Sequence, residues 1–291
     1  MTPSEWRDLL DAIERDALHG ATWLTEKGAA LLLSMLQKDA PAEELETAAV
    51  SLARARPMMA SLFNLANGFL WAWSRNKDMA AAFVRDYLAG LRGEGSAAAQ
   101  KAASILREGD TLLTHSASSL VEKALLQAHA EGKGFRVYCT ESRPKCEGMS
   151  LAKRLCEAGI DATLIVDAAA GEVARRCDKI LIGSDGIGSF GLVHKMGTMP
   201  LSCLAKSGGV PLYAVATSQK VWPAAFAKPV EKEKDPKDLG VEGCFDVENR
   251  YFDITPPEWL GRFLTAEGEM TWEGVLKRYG REAIHPLLIS G

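Results

Sequence analysis

Along the first third of the chain, apolar residues recur at gaps of three and four with polar residues between them. One such set is Trp6, Leu9, Leu10 and Ile13, and another is Leu31, Leu32, Met35 and Leu36. Two more follow, Leu62, Leu65, Phe69 and Leu70, then Phe83, Val84, Tyr87, Leu88 and Leu91. That spacing puts each set on one face of a helix, so residues 1–107 are expected to form a helical N-terminal domain. Breakers stand where such helices should stop, at Gly20, Pro41, Pro57 and Gly93-Glu94-Gly95-Ser96, after which Ser96 would cap a last helix ending near Arg107. From Gly109 the period changes. Short runs rich in β-formers, "TLLTH", "FRVYCTE", "ATLIVDA", "KILIGSD" and "PLYAVATS", alternate with helical stretches at 119–130, 148–158, 171–176 and 196–207. This alternation predicts βαβ units, and the fold class is α/β: a helical bundle, then a second domain, 108–291, built on a doubly wound, mostly parallel sheet. Residues 228–250, charged and without period, read as a solvated loop, and "YFDITPPEWLGRFLTAEGEM" as an extended piece, a Pro-Pro helix start and another helix.

Composition narrows the chemistry. The chain has 291 residues, enough for two domains or one large one, and its net charge of −4 argues against a general polyanion surface and direct nucleic-acid binding. Six cysteines form no C-x-x-C pair and none lies near a histidine at zinc-ligand spacing, so they read as free thiols in a reducing cytoplasm, with no metal or cofactor called for. No run of 18 apolar residues exists, and the acidic, amphipathic start is unlike a signal peptide, so neither secretion nor a membrane partner is expected.

In doubly wound sheets ligands sit outside the carboxyl ends of the strands, which singles out the turns there. In "GDTLLTHSASSL", Ser119 and Glu122 have capping-box spacing, while Ser116 and Ser118 either cap as well or donate to a phosphate at the helix N-terminus. In "TESRPKCEG", Arg143 is held extended by the following proline and is either solvated or a planar fork for phosphate. In "IGSDGIGSFGLVHKMGT", glycines flank Asp185, which either shapes the turn or, partly buried, transfers protons near neutral pH. His194 and Lys195 follow, just before a helix expected from about Met196, as surface charge at a helix entry or as ligand contacts. Lys220, in "ATSQKVWP", adds a cation on the same edge, and Asp167 either serves the site or caps the next helix.

Taken in order, "ARPMMASLFNLANGFL", "LTHSASSLV", "VYCTESRPKCEGMSLAKRL", "LIVDAAAG", "ILIGSDGIGSFGLVHKMGT" and "YFDITPPEWLGRFLTAEGEM" resemble the alpha, beta and delta subunits of eukaryotic translation initiation factor 2B and their archaeal and bacterial relatives. That family includes methylthioribose-1-phosphate isomerase and ribose-1,5-bisphosphate isomerase. The resemblance implies a Rossmann-like second domain and a homodimer or higher homo-oligomer. By motif it also implies phosphate contacts at Arg56 (Arg54 less so), Arg143, His194 and Lys195, and a proton-transferring pair at Ser116 and Asp185. Two positions depart from the isomerase pattern: the catalytic cysteine is Ser116, and the asparagine before the lysine is His194. A hydroxyl is far less acidic than a thiol, so either the chemistry is lost or another group such as His115 or His194 supplies it. The expected function is therefore binding of a phosphorylated sugar or nucleotide monophosphate in a cleft at the C-terminal edge of the sheet, in a regulatory role. The alternative is an aldose-ketose isomerase using Asp185, and a third reading is a subunit that only docks onto a larger assembly.

Overall fold

The computed structural model describes residues 3–16, 19–241 and 243–289. Five helices come first: α1 (Pro3–Arg15), α2 (Ala21–Gln37), α3 (Ala42–Ala55), α4 (Ala60–Trp73) and α5 (Lys77–Ser104). Their apolar stripes meet in one core, where Leu24, Leu32, Met35, Leu52, Leu62 and Phe69 are fully buried. Each such side chain contributes roughly 1.5–3 kcal/mol on leaving water. Leu9 is the member of the first stripe left exposed. Helix ends follow the breakers at Gly20, Pro41 and Pro57: α2 starts just after the first, α3 just after the second, and α3 stops short of the third.

The expected break at 93–96 does not occur, because α5 runs through it. A Cβ at Gly95 would lie 3.2 Å from Leu120 Cδ2, so the small residues let the next helix approach closely. Ser96 is no cap; its hydroxyl donates to the Arg92 carbonyl and accepts from Lys123 Nζ.

The rest alternates β1 (Thr111–Thr114), α6 (Ser119–Ala130), β2 (Arg136–Thr140), α7 (Glu147–Glu157), β3 (Asp161–Ile165), α8 (Ala170–Ala174) and β4 (Lys179–Ile182). Then come β5 (Gly186–Gly188), β6 (Gly191–Lys195), α9 (Thr198–Gly208), β7 (Leu212–Val215), β8 (Phe252–Thr255), β9 (Arg262–Thr265), β10 (Gly268–Met270), α10 (Trp272–Tyr279) and α11 (Pro286–Ile289). A seven-stranded sheet has the order β10-β9-β7-β4-β1-β2-β3, parallel except for the β9–β10 hairpin. The helical region followed by a mostly parallel sheet with helices is the expected α/β class. One face packs on α5, α6 and α7 through residues such as Val121, Val137 and Leu155; Val173, Ile180, Leu201 and Val275 belong to a second core that holds α8, α9 and α10. Among the described residues no helix is long and apolar enough to cross a membrane.

Three local expectations are corrected. His194 and Lys195 lie on β6, in a second, antiparallel sheet of order β5-β6-β8, and α9 starts only at Thr198. The extended piece of the last stretch is β8, but the helix expected after it is instead a short 3-10 turn at Pro257–Trp259 and the β9–β10 hairpin, because Phe263 and Leu264 pair beside β7 in the sheet core. The loop at 228–250 is solvated only in part: Asn249 is buried, and the Glu231 carboxylate turns inward to accept from the backbone N–H groups of Tyr251 and Phe252.

Candidate functional site

Strand order decides where a ligand can sit. From β1 the chain proceeds outward to β2 and β3, then returns to β4 on the other side of β1 and proceeds to β7 and β9. The direction reverses between β1 and β4, so the turns leaving those two strands diverge and open a crevice. The first turn carries Ser116 to Ser119 and the second Ser184 and Asp185, and both line a cavity of about 110 Å³. Its wall also includes Arg56, Glu147, His194, Lys195, Lys220 and Tyr251. Gly183 keeps the crevice open, since a Cβ there would lie 2.6 Å from the Ser118 side chain.

Each cation arrives from a different element. Arg56 ends α3, where its Nη1 donates to the carbonyls of Glu14 and Asp16 at 3.1 and 2.5 Å. Lys195 comes from β6 and pairs with Glu147 at 2.8 Å. Lys220 lies in a short turn after β7 and donates to the Ser184 carbonyl at 2.5 Å. That turn is clamped from the helical region. Asn64 Nδ2 donates to the carbonyls of Gln219 and Val221, and the Glu94 carboxylate accepts from Ser218 N and Oγ. Arg56, Lys195 and Lys220 are 9%, 3% and 5% exposed. Burial lowers the pKa of Lys220 against the pull of Asp185, and lowers that of Arg56 against Asp16, Asp185 and Glu231.

Asp185 is held by its backbone, with its N–H on Val193 O and its carbonyl accepting from Ala60 N. Burial pushes its carboxyl up to about 6, against the neighbouring Lys220, Arg56 and Lys195, with Glu147 adding to the rise. The Ser116 backbone is left-handed, φ +68°, a conformation a non-glycine residue adopts only under local constraint. The constraint is Ser142 Oγ, which accepts from Ser116 N at 2.8 Å, and the Ser116 hydroxyl then faces Glu147 Oε1 at 3.5 Å. Helix α6 is capped by Ser118 rather than Ser119, and Glu122 pairs with Arg154 instead of closing a capping box.

Burial disfavours the charged form of both histidines at the site. His115 is buried, with Nε2 on the Met196 carbonyl and Nδ1 on Thr140 Oγ1, so both nitrogens are engaged and burial lowers its pKa. His194 Nδ1 meets Thr198 Oγ1, whose own proton goes to the Lys195 carbonyl. Nδ1 is therefore the donor, and Nε2 keeps its lone pair with no described protein partner. Burial first, then His115, Lys220 and Lys195, lower the pKa of that ring well below its ordinary value.

Of the sequence-derived residues, Arg56, Ser116, Ser118, Asp185, His194, Lys195 and Lys220 line the one cavity. Arg143 does not. Its guanidinium is exposed and donates to the Leu239 carbonyl, while its backbone N–H and that of Ser142 both donate to Asp167. Asp167 thus holds the turn after β2, and its side chain caps no helix. Glu147 and Tyr251 were not singled out from sequence. An acid opening a helix reads as a complement to the helix dipole, so Glu147 carried no separate signal.

Comparison with known proteins agrees with this architecture. A profile of the Initiation factor 2 subunit family matches residues 13–272. An eIF-2B subunit 2-like protein of Pyrococcus horikoshii is 31% identical over 273 residues, covering 92% of this chain and 97% of its own length. A ribose 1,5-bisphosphate isomerase of Methanocaldococcus jannaschii is 29% identical over 266 residues, covering 86% of this chain and 85% of its own. The crystal structure of Pyrococcus horikoshii OT3 translation initiation factor eIF-2B superposes with a TM-score of 0.82 at 29% identity, over 92% of this chain and 97% of that one.

Proposed function

The chain belongs to the Initiation factor 2 subunit family, and from that premise we propose that its cleft binds a phosphorylated sugar or a nucleoside monophosphate, in a regulatory role. The observation that carries this reading is the convergence of Arg56, Lys195 and Lys220, all nearly sealed from water, on one small cavity. Buried cations cost desolvation energy and repel one another, and an anion seated among them offsets both penalties. The N-terminus of α6, with Ser116 and Ser118 at its mouth, adds hydroxyl and backbone donors suited to phosphate oxygens. The regulatory role follows from chemistry that is missing: Ser116 stands where the isomerases carry a thiol, and burial disfavours the charged, acidic form of both neighbouring histidines. A homodimer or higher homo-oligomer, and a cytoplasmic location, belong to the same reading.

One observation favours a second reading. A carboxyl at about 6 inside the cavity can take a proton from C2 of an open-chain aldose phosphate and return it to C1 near neutral pH. That would make the protein an aldose-ketose isomerase with Asp185 as the mobile base.

Thermal-shift titration with ribose 5-phosphate, AMP and GMP, against unphosphorylated ribose, tests binding. The binder is expected to be stabilised by the phosphates alone, and the stabilisation to vanish in Lys220→Ala. Turnover of the best ligand, lost in Asp185→Asn, would establish the isomerase instead. No stabilisation by any phosphate would refute both.

A further inference from the structure

The cavity is the inner lobe of a larger cleft. An outer lobe of about 490 Å³ adjoins it and shares His19, Gly20, Thr22, Ala117, Ser119 and Glu147 with it. The inner lobe is small: a cavity of about 150 Å³ takes a benzene ring, so 110 Å³ accommodates a phosphate and the nearest carbons of a sugar. The remainder of a ligand can extend into the outer lobe past the shared wall, which includes Glu147.

The charges of the outer lobe are arranged against an anion. Its cations among the described lining residues are already engaged: Lys145 pairs with Asp238 at 2.5 Å, and Arg154 with both oxygens of Glu122 at 2.6 and 2.8 Å. His19 sits on Asp16, and Arg143 is bonded to Leu239 and lines neither lobe. Three carboxylates, Glu26, Glu122 and Glu147, paired with Arg92, Arg154 and Lys195, face the same space beside the partly exposed indole of Trp23, so the lining residues carry three acids against the two cations Lys145 and Arg154. Glu147 stands at the junction with Oε1 on Lys195, and its Oε2 is buried with no hydrogen-bond partner. An unpartnered carboxylate oxygen suits a ligand hydroxyl, which donates, and repels a phosphate, which near pH 7 is largely dianionic with no proton to offer.

We propose that Glu147 is a specificity-determining residue that restricts the cleft to ligands with a single phosphate, seated in the inner lobe, and rejects a second phosphate at the far end of the sugar. The inference rests on the sugar-phosphate reading above and goes beyond it by excluding the bisphosphates for which one relative is named.

The test is calorimetric titration of the full chain with ribose 5-phosphate and ribose 1,5-bisphosphate, which differ by one phosphate. The wild type is expected to bind the monophosphate at least tenfold more tightly. Glu147→Gln keeps the shape and removes the charge, and is expected to narrow that preference severalfold. Glu122→Gln, an independent change on the other wall, releases Arg154 and should narrow it too. Equal or tighter binding of the bisphosphate by the wild type, or a preference unchanged in both variants, overturns the inference and leaves the sugar-phosphate reading standing. Failure of both sugars and of inorganic phosphate to bind overturns the two together.

Discussion

Replacing Asp185 by asparagine should change how stability depends on pH, by an amount the cavity itself sets. Burial raises the Asp185 carboxyl from 3.8 to about 6, so between those values the folded protein holds a proton that the unfolded chain has released. Where the native state binds more protons, stability falls as pH rises, so this group's contribution is fully present below pH 4 and lost by about pH 6 to 7. At 1.36 kcal/mol per pH unit the rise corresponds to about 3 kcal/mol, of which roughly 2 kcal/mol falls between pH 4 and pH 7 because the unfolded carboxyl has already lost part of its proton at pH 4. Asparagine has the same shape and no proton to exchange. The difference in unfolding free energy, wild type minus Asp185→Asn, should therefore drop by about 2 kcal/mol between pH 4 and pH 7. Urea denaturation of both proteins at half-unit pH steps measures it. The histidines titrate in both proteins, and their contributions cancel in the difference. A flat difference, or one that grows with pH, would mean that Asp185 is not the buried, desolvated carboxyl described above.

Other outcomes follow from named contacts. Asn64→Ala removes the amide that donates to two carbonyls of the Lys220 turn and should cost about 2 kcal/mol in chemical denaturation, with weaker ribose 5-phosphate binding as the turn loosens. Gly148→Ala would place a Cβ 1.8 Å from the Thr140 carbonyl oxygen, so the α7 entry must move; a loss of about 3 kcal/mol or more is expected from the same melts. Burial pushes the Cys139 and Cys177 thiols up to about 12 and about 11, whereas Cys156 and Cys244 are exposed. In a thiol-reagent assay at pH 8 the exposed pair should react in the native protein, and the buried pair only after unfolding.

Much of the architecture was legible from local pattern. Three- and four-residue spacing marked α1, α2, α4 and α5, and short β-rich runs marked β1, β2, β3, β4 and β7, because burial of one face writes its period directly into the sequence. The rule that ligands gather at the carboxyl ends of parallel strands then pointed to the turns carrying Ser116, Asp185 and Lys220, which share one cavity. What escaped was settled by contacts between distant segments. Nothing near Gly95 announces that α5 continues; the reason is Leu120, packed against it. For Lys195 the sequence leaves surface charge and ligand contact both open, and it is the pairing of β6 with β8 that turns it inward onto Glu147. Arg143 occupies the expected turn, but its guanidinium follows the carbonyl of Leu239, nearly a hundred residues on. A sequence specifies the period of burial and the chemistry available at each position. Where a long side chain points, and which charges meet, depends on partners that only the folded chain brings within hydrogen-bond reach.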